Sequence, residues 1–147
     1  MTKKIQKSIS IEAPDNKVWT VLLEDEFTRE WYSEFGAGTF AVTDWQVGSK
    51  AVFQDNTNSG LIGRVIANTP RQLLSVEYEG ILHNGMEDYE SELASQVRGG
   101  RETYYLTSEG NRSALSIECD MSEDMFEPMS TSWDKALLKV KQLAETA

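Results

Sequence analysis

Residues 101–144 read RETYYLTSEGNRSALSIECDMSEDMFEPMSTSWDKALLKVKQLA, and the change of period inside this stretch decides the fold. Up to Met121 the apolar side chains alternate. Arg101–Ser108 and Arg112–Met121 are the arms of a hairpin turning at Glu109-Gly110-Asn111. From Ser122 onward the spacing becomes three and four. Phe126, Met129, Trp133, Ala136, Leu137, Val140 and Ala144 stack on one helical face, and Lys135, Lys139 and Lys141 occupy much of the rest. Ser122 suits the cap of this helix, and the acids Asp120, Glu123, Asp124 and Glu127 around its start complement the helix dipole. Pro128 deletes the hydrogen bond to the carbonyl of Asp124. A kink or break is therefore predicted near Asp124–Pro128, with a straight segment from about Met129 to Ala144.

Upstream, the same periodicities supply the partner that this helix needs. Lys3–Glu12 alternates, with Ile5, Ile9 and Ile11 on one side and Gln6, Ser8 and Ser10 on the other. Ala13-Pro14-Asp15 opens a helix whose stripe is Val18, Trp19, Leu22 and Leu23, with Asp15 able to cap it. Phe27, Trp31 and Phe35, four apart, make a second short helix ending at Gly36. Strands follow at Thr39–Trp45, Lys50–Gln54, Gly60–Asn68 and Leu73–Gly80, separated by turn-forming residues. Residues Ile81–Gly100 are polar, too long for a hairpin turn, and are expected to form a loop. The order β-α-α-β-β-β-β-β-β-α describes one α+β domain over residues 1–147, an antiparallel meander with the last helix across its inner face. A sheet curled around one helix leaves a wedge, and Trp, Phe and Met walls favour a cavity there.

Composition narrows the chemistry. One cysteine, Cys119, excludes an internal disulfide framework and zinc sites built on paired cysteines. The 24 acidic and 14 basic residues give a net charge of −10, which repels phosphate backbones and anionic membrane surfaces. No apolar run approaches the roughly 20 residues of a membrane span. Met1–Lys7 is basic without a hydrophobic stretch behind it, unlike a signal peptide. The expected location is cytoplasmic.

The motifs Ile9-Ser-Ile-Glu-Ala-Pro14 with Val18-Trp19, Trp31 and Phe35, Trp45-Gln-Val-Gly48, Gly60-Leu-Ile-Gly63-Arg-Val65, Gly99-Gly-Arg-Glu-Thr-Tyr-Tyr-Leu106 and Trp133-Asp-Lys-Ala-Leu137 with Lys141 recur in a familiar order. In this they resemble the START-like (SRPBCC) superfamily, and within it the family related to the C-terminal domain of the activator of Hsp90 ATPase. The resemblance spans essentially the whole chain. It implies a helix-grip fold: a seven-stranded antiparallel sheet curled around a long C-terminal helix, with two short helices after the first strand. Superfamily members bind lipids, sterols or hormones, cyclise polyketides or dock on partners, and the family carries over no shared catalytic residues.

Residue chemistry agrees with a binding role. His83 is the only histidine and could serve as a general base only if partners were placed around it; an exposed loop histidine is the better reading. Residues 85–92 resemble an acidic loop of the family and are expected at the cavity mouth, with His83 nearby and Met86 and Tyr89 turned inward. Acids around Ser122 lack the spacing of a calcium loop, so no metal site is expected. Cys119 follows Leu115 and Ile117 on the inner strand face, as a small buried hydrophobe. No nucleophile elbow, phosphate loop or dinucleotide fingerprint occurs, and no cofactor is expected. The ligand walls expected from the wedge are Trp31, Phe35, Phe53, Tyr104, Met125, Met129 and Trp133. The sequence thus points to a non-enzymatic protein holding a small apolar molecule. The alternatives are a chaperone-linked interaction module, including a homodimer, and a cyclase- or hydratase-type enzyme moving protons through His83, Tyr104 or a pocket carboxylate.

Overall fold

A computed structural model describes residues 2–146. Its elements are β1 (Thr2–Ile11), α1 (Asp15–Leu23), α2 (Asp25–Trp31), a 3-10 turn (Tyr32–Glu34), β2 (Phe40–Val42), β3 (Lys50–Gln54), β4 (Gly60–Thr69), β5 (Leu73–His83), β6 (Met86–Asp88), α3 (Glu92–Val97), β7 (Arg101–Glu109), β8 (Arg112–Ser122) and α4 (Glu123–Glu145). The strands form one eight-stranded antiparallel sheet in the order β1-β8-β7-β5-β4-β3-β2, with β6 paired to β5. This is the helix-grip arrangement, α4 lying in the grip. Among the described residues no helix is long and apolar enough to cross a membrane.

Alternation makes the sheet and bulges curl it. Register shifts between β4 and β5 at Ile62/Gly63 and Val65/Ala67 bend the ladder. At Gly63 the strands approach so closely that a Cβ would sit 2.7 Å from Val76 Cγ1 and 2.9 Å from the Glu77 carbonyl oxygen. On α4, Trp133, Ala136, Leu137, Val140 and Ala144 are buried. They meet a core that includes Ile5, Ile11, Leu115 and Ile117. Polar ties fasten the C-terminal half of α4 to the first strand: Lys7 pairs with Asp134 at 2.9 Å, and Lys141 donates to the Ser10 carbonyl at 3.0 Å.

Four expectations need revision. Ile81–Gly100 is not a loop. Asn84 and Gly85 have φ of 49° and 81°, the geometry of a two-residue hairpin turn, and they join the end of β5 to β6 as an eighth strand. Ser91 then opens α3, its Oγ accepting from the Ala94 amide at 3.1 Å. The Asn-Gly and serine signals were both present, but the strand on the far side has three residues and almost no apolar pattern to mark it. The second strand is shorter than Thr39–Trp45, because Trp45 turns to φ 61° and anchors its indole N–H on the Leu23 carbonyl at 3.2 Å. Helix α4 runs from Glu123 to Glu145 without a break at Pro128. Proline stands one turn inside the start, where a single lost hydrogen bond does not end a helix held by its buried face further on. Ser122 and Pro14 occupy the N-cap positions of α4 and α1, yet neither Ser122 nor Asp15 makes a side-chain cap.

Candidate functional site

The wedge contains a cavity of about 230 Å³. Its outer rim is the α2–β2 connection with Gly36 and Thr39, and the β3–β4 hairpin with Gln54, Asp55, Ser59 and Gly60. That hairpin is built locally: Asp55 Oδ1 accepts from the Thr57 amide at 2.8 Å and the Ser59 amide at 3.3 Å. Gly60 is needed because a Cβ there would lie 1.8 Å from the Phe53 carbonyl oxygen.

Aromatic rings build the inner wall. Trp133 reaches from α4 to Phe35 (4.8 Å between centroids), Tyr104 (5.9 Å) and Trp31 (6.3 Å), mostly edge to face. Trp31 is fixed by its indole N–H, which donates to the Val21 carbonyl at 3.0 Å. Tyr32 packs on Phe53 at 6.1 Å, tying the 3-10 turn to β3. Met121 and Met129 add flexible thioethers to the lining.

A carboxylate stands in this apolar setting. Glu102 follows the inward alternation of β7 with Tyr104 and Leu106, and pairs in register with Cys119 on β8. Tyr78 donates its hydroxyl to Glu102 Oε1 at 2.5 Å, and Tyr104 donates to Oε2. Burial pushes the Glu102 carboxyl above the usual range, against the two phenols that favour its charged form. Burial and then Coulombic repulsion from neighbouring acids also raise Tyr78 and Tyr104 well above ordinary tyrosine values. Burial pushes the Cys119 thiol up as well, so it is an inert buried sulfur rather than a nucleophile. The Trp133 indole N–H, buried beside that sulfur, meets no oxygen or nitrogen acceptor among the described residues and is left with the sulfur, a weak acceptor.

Of the residues expected at a ligand wall, Trp31, Phe35, Phe53, Tyr104, Met129 and Trp133 line the cavity. Met125 does not; it lies on the outer side of the first turn of α4, 46% exposed. The expected mouth residues sit elsewhere. His83 is exposed at the end of β5 against Asn84, Met86 is 73% exposed, and Tyr89 packs outside, donating to Glu87. All three ride on the β5–β6 hairpin and its exit, which extends the sheet outward instead of folding over the wedge. His83 is not among the residues that line the cavity. Glu102 is the residue that sequence reasoning missed, although a two-residue step back from Tyr104 and Leu106 places it on the inner face. Among the described residues, no group of three His, Cys, Asp or Glu is placed to hold a metal ion.

Comparisons with known proteins bear on the fold. No family model matches the sequence, and no curated protein does. Solved structures do match. The Aha1 dimer from Colwellia psychrerythraea superposes with a TM-score of 0.74 at 18% identity, over 98% of this chain and 97% of that one. CalU16 from Micromonospora echinospora gives 0.69 at 18% identity, over 99% and 78%. DynU16, from the dynemicin biosynthetic locus, gives 0.72 at 14% identity, over 97% of this chain and 47% of that one. Strand order, the gripped C-terminal helix and these likenesses together identify the fold as a helix-grip fold shared with those structures.

Proposed function

We propose that this protein binds a small, largely apolar molecule between its sheet and α4. The observation that carries the reading is the aromatic cavity of about 230 Å³ with a hydrogen-bonded carboxylate in its inner wall. Glu102 is half-buried in this apolar wall, and a carboxyl group set there costs stability even with two phenols beside it, which suits a binding role better than packing. The volume falls below the roughly 300–1,000 Å³ of drug-sized sites, which suits a molecule of one or two rings. Its apolar body would stack on Trp133, Trp31 and Phe35, while Met121 and Met129 adjust to its outline. A resident of a biosynthetic locus among the matched folds is consistent with a small organic ligand. The test is calorimetric titration with small aromatic compounds in the wild type and in Met129→Trp, which fills the cavity. Saturable binding that disappears on filling supports the reading; no binding by any compound refutes it. One observation favours a second reading: the Aha1 neighbour, similar along 97% of its length, is a dimer. Self-association of this chain, checked by sedimentation over a range of concentrations, would make it a homodimeric interaction module.

A further inference from the structure

All four tryptophans are buried or half-buried, and the indole N–H groups of three of them can be compared through the acceptors they meet. Trp31 donates to the Val21 carbonyl at 3.0 Å and Trp45 to the Leu23 carbonyl at 3.2 Å. Trp133, only 2% exposed and in the cavity wall, meets nothing but the Cys119 sulfur among the described residues. Buried donors nearly always find a good acceptor in folded proteins, so a donor left with a sulfur in a cavity wall points to what the cavity takes. Its nearest protein candidate, the Cys119 sulfur, is a weak acceptor.

The same part of the wall holds the complementary deficit. Glu102 stands across the β7–β8 ladder from Cys119, so the carboxylate and the indole flank one sulfur. Each carboxylate oxygen already takes one phenol, from Tyr78 and Tyr104, yet a carboxylate offers about four acceptor sites. We infer that the ligand carries one hydroxyl, seated between Glu102 and Trp133, donating to the carboxylate and accepting from the indole N–H. This rests on the binding reading above and names its ligand class as a small apolar alcohol or phenol. An ammonium could donate to Glu102 but has no lone pair for Trp133. A ketone could accept from Trp133 but would set its oxygen against the carboxylate. A hydroxyl does both from a single atom, which matters in a cavity this small.

The experiment uses 4-butylphenol, butylbenzene and 4-butylbenzylamine as probes, with calorimetry for affinity and ¹H–¹⁵N spectra for the indole N–H resonances. The expected result is that 4-butylphenol binds about tenfold more tightly than butylbenzene, as two modest hydrogen bonds would give. It should also move the Trp133 indole resonance downfield while those of Trp31 and Trp45 stay in place. Trp133→Phe and Glu102→Gln should each shrink the preference for 4-butylphenol over butylbenzene to about twofold or less, whatever each does to the affinity for butylbenzene itself. Should either variant fail to fold, the wild-type indole shift decides alone. Equal affinity for phenol and hydrocarbon with an unmoved Trp133 resonance would overturn the hydroxyl and leave the cavity reading standing. Tighter binding of the amine would overturn it in favour of an ion pair. Failure of all three probes to bind would remove the cavity reading and this inference with it.

Discussion

Replacing Trp133 by alanine removes the side chain on which the inner wall converges. It is 2% exposed, and its ring packs on Phe35, Tyr104 and Trp31 at 4.8, 5.9 and 6.3 Å. Emptying a large aromatic site ordinarily costs about 3–5 kcal/mol. Two features of this site pull the figure down. One side of the ring borders a cavity of about 230 Å³, so fewer contacts are lost there. Its N–H is buried against a sulfur, a weak acceptor, and removing so poorly satisfied a donor returns about 1 kcal/mol. We therefore expect a loss of about 3 kcal/mol for Trp133→Ala, seen in urea unfolding followed by circular dichroism. For a chain of this size that corresponds to a fall in Tm of about 6–12 °C. Trp133→Phe keeps a ring against its three neighbours and deletes the poorly satisfied donor, so it should stay within about 1 kcal/mol of wild type. A loss below about 1 kcal/mol for the alanine variant would refute the reasoning, because that is near ordinary surface behaviour. So would a phenylalanine variant as damaged as the alanine one.

Three further outcomes follow from named contacts. Burial raises the Glu102 carboxyl in the folded state, so the native protein holds that proton to higher pH than the unfolded chain. The stability it contributes is complete below the unfolded value and is lost as pH rises through the folded one; measured as wild type minus Glu102→Gln, unfolding free energy should fall from about pH 4 upward and then level. A difference that rises with pH would contradict this. Gly60→Ala sets a Cβ 1.8 Å from the Phe53 carbonyl oxygen, so the β3–β4 hairpin must open, at a cost of about 1–3 kcal/mol in thermal unfolding; a neutral variant would show that the approach is not there. Pro128→Ala restores a donor for the Asp124 carbonyl inside α4 and should raise stability by about 1 kcal/mol in urea melts, the helix gain being partly offset by a freer unfolded chain. A loss would mean that Pro128 serves the start of that helix.

Local physics made much of this protein legible from its residues alone. The two-residue alternation of 112–121 and the three-and-four spacing of 126–144 are backbone geometries written directly into apolar order, and they specify the last hairpin and the gripped helix. The aromatic wall followed for the same reason, since Phe35, Tyr104, Met129 and Trp133 lie on faces that must turn inward. Where the marks were short the reading stopped. Three residues of β6 have no period to recognise, and the turn at Asn84-Gly85 has φ values that decide the chain's direction without any apolar pattern beside them. Met125 shares the helix of Met129, yet one turn separates an exposed side chain from a cavity wall, because the sheet reaches only so far along α4.

By itself, then, the sequence determined the order of most elements, the antiparallel sheet, the inward stripe of the last helix and, through its one cysteine, the exclusion of an internal disulfide framework. These depend on spacings of a few residues and on charge, both of which a linear chain displays. Tertiary structure alone decided that Glu102 meets the hydroxyls of Tyr78, 24 positions away in sequence, and of Tyr104. It alone decided that the Trp133 indole N–H is left with a sulfur for a partner, and that His83, Met86 and Tyr89 are not in the cavity lining. Hydrogen bonds reach about 3 Å and depend on angle. Which donors find which acceptors therefore depends on how bulges and twist bring distant strands and one helix together, and no local pattern encodes that distance.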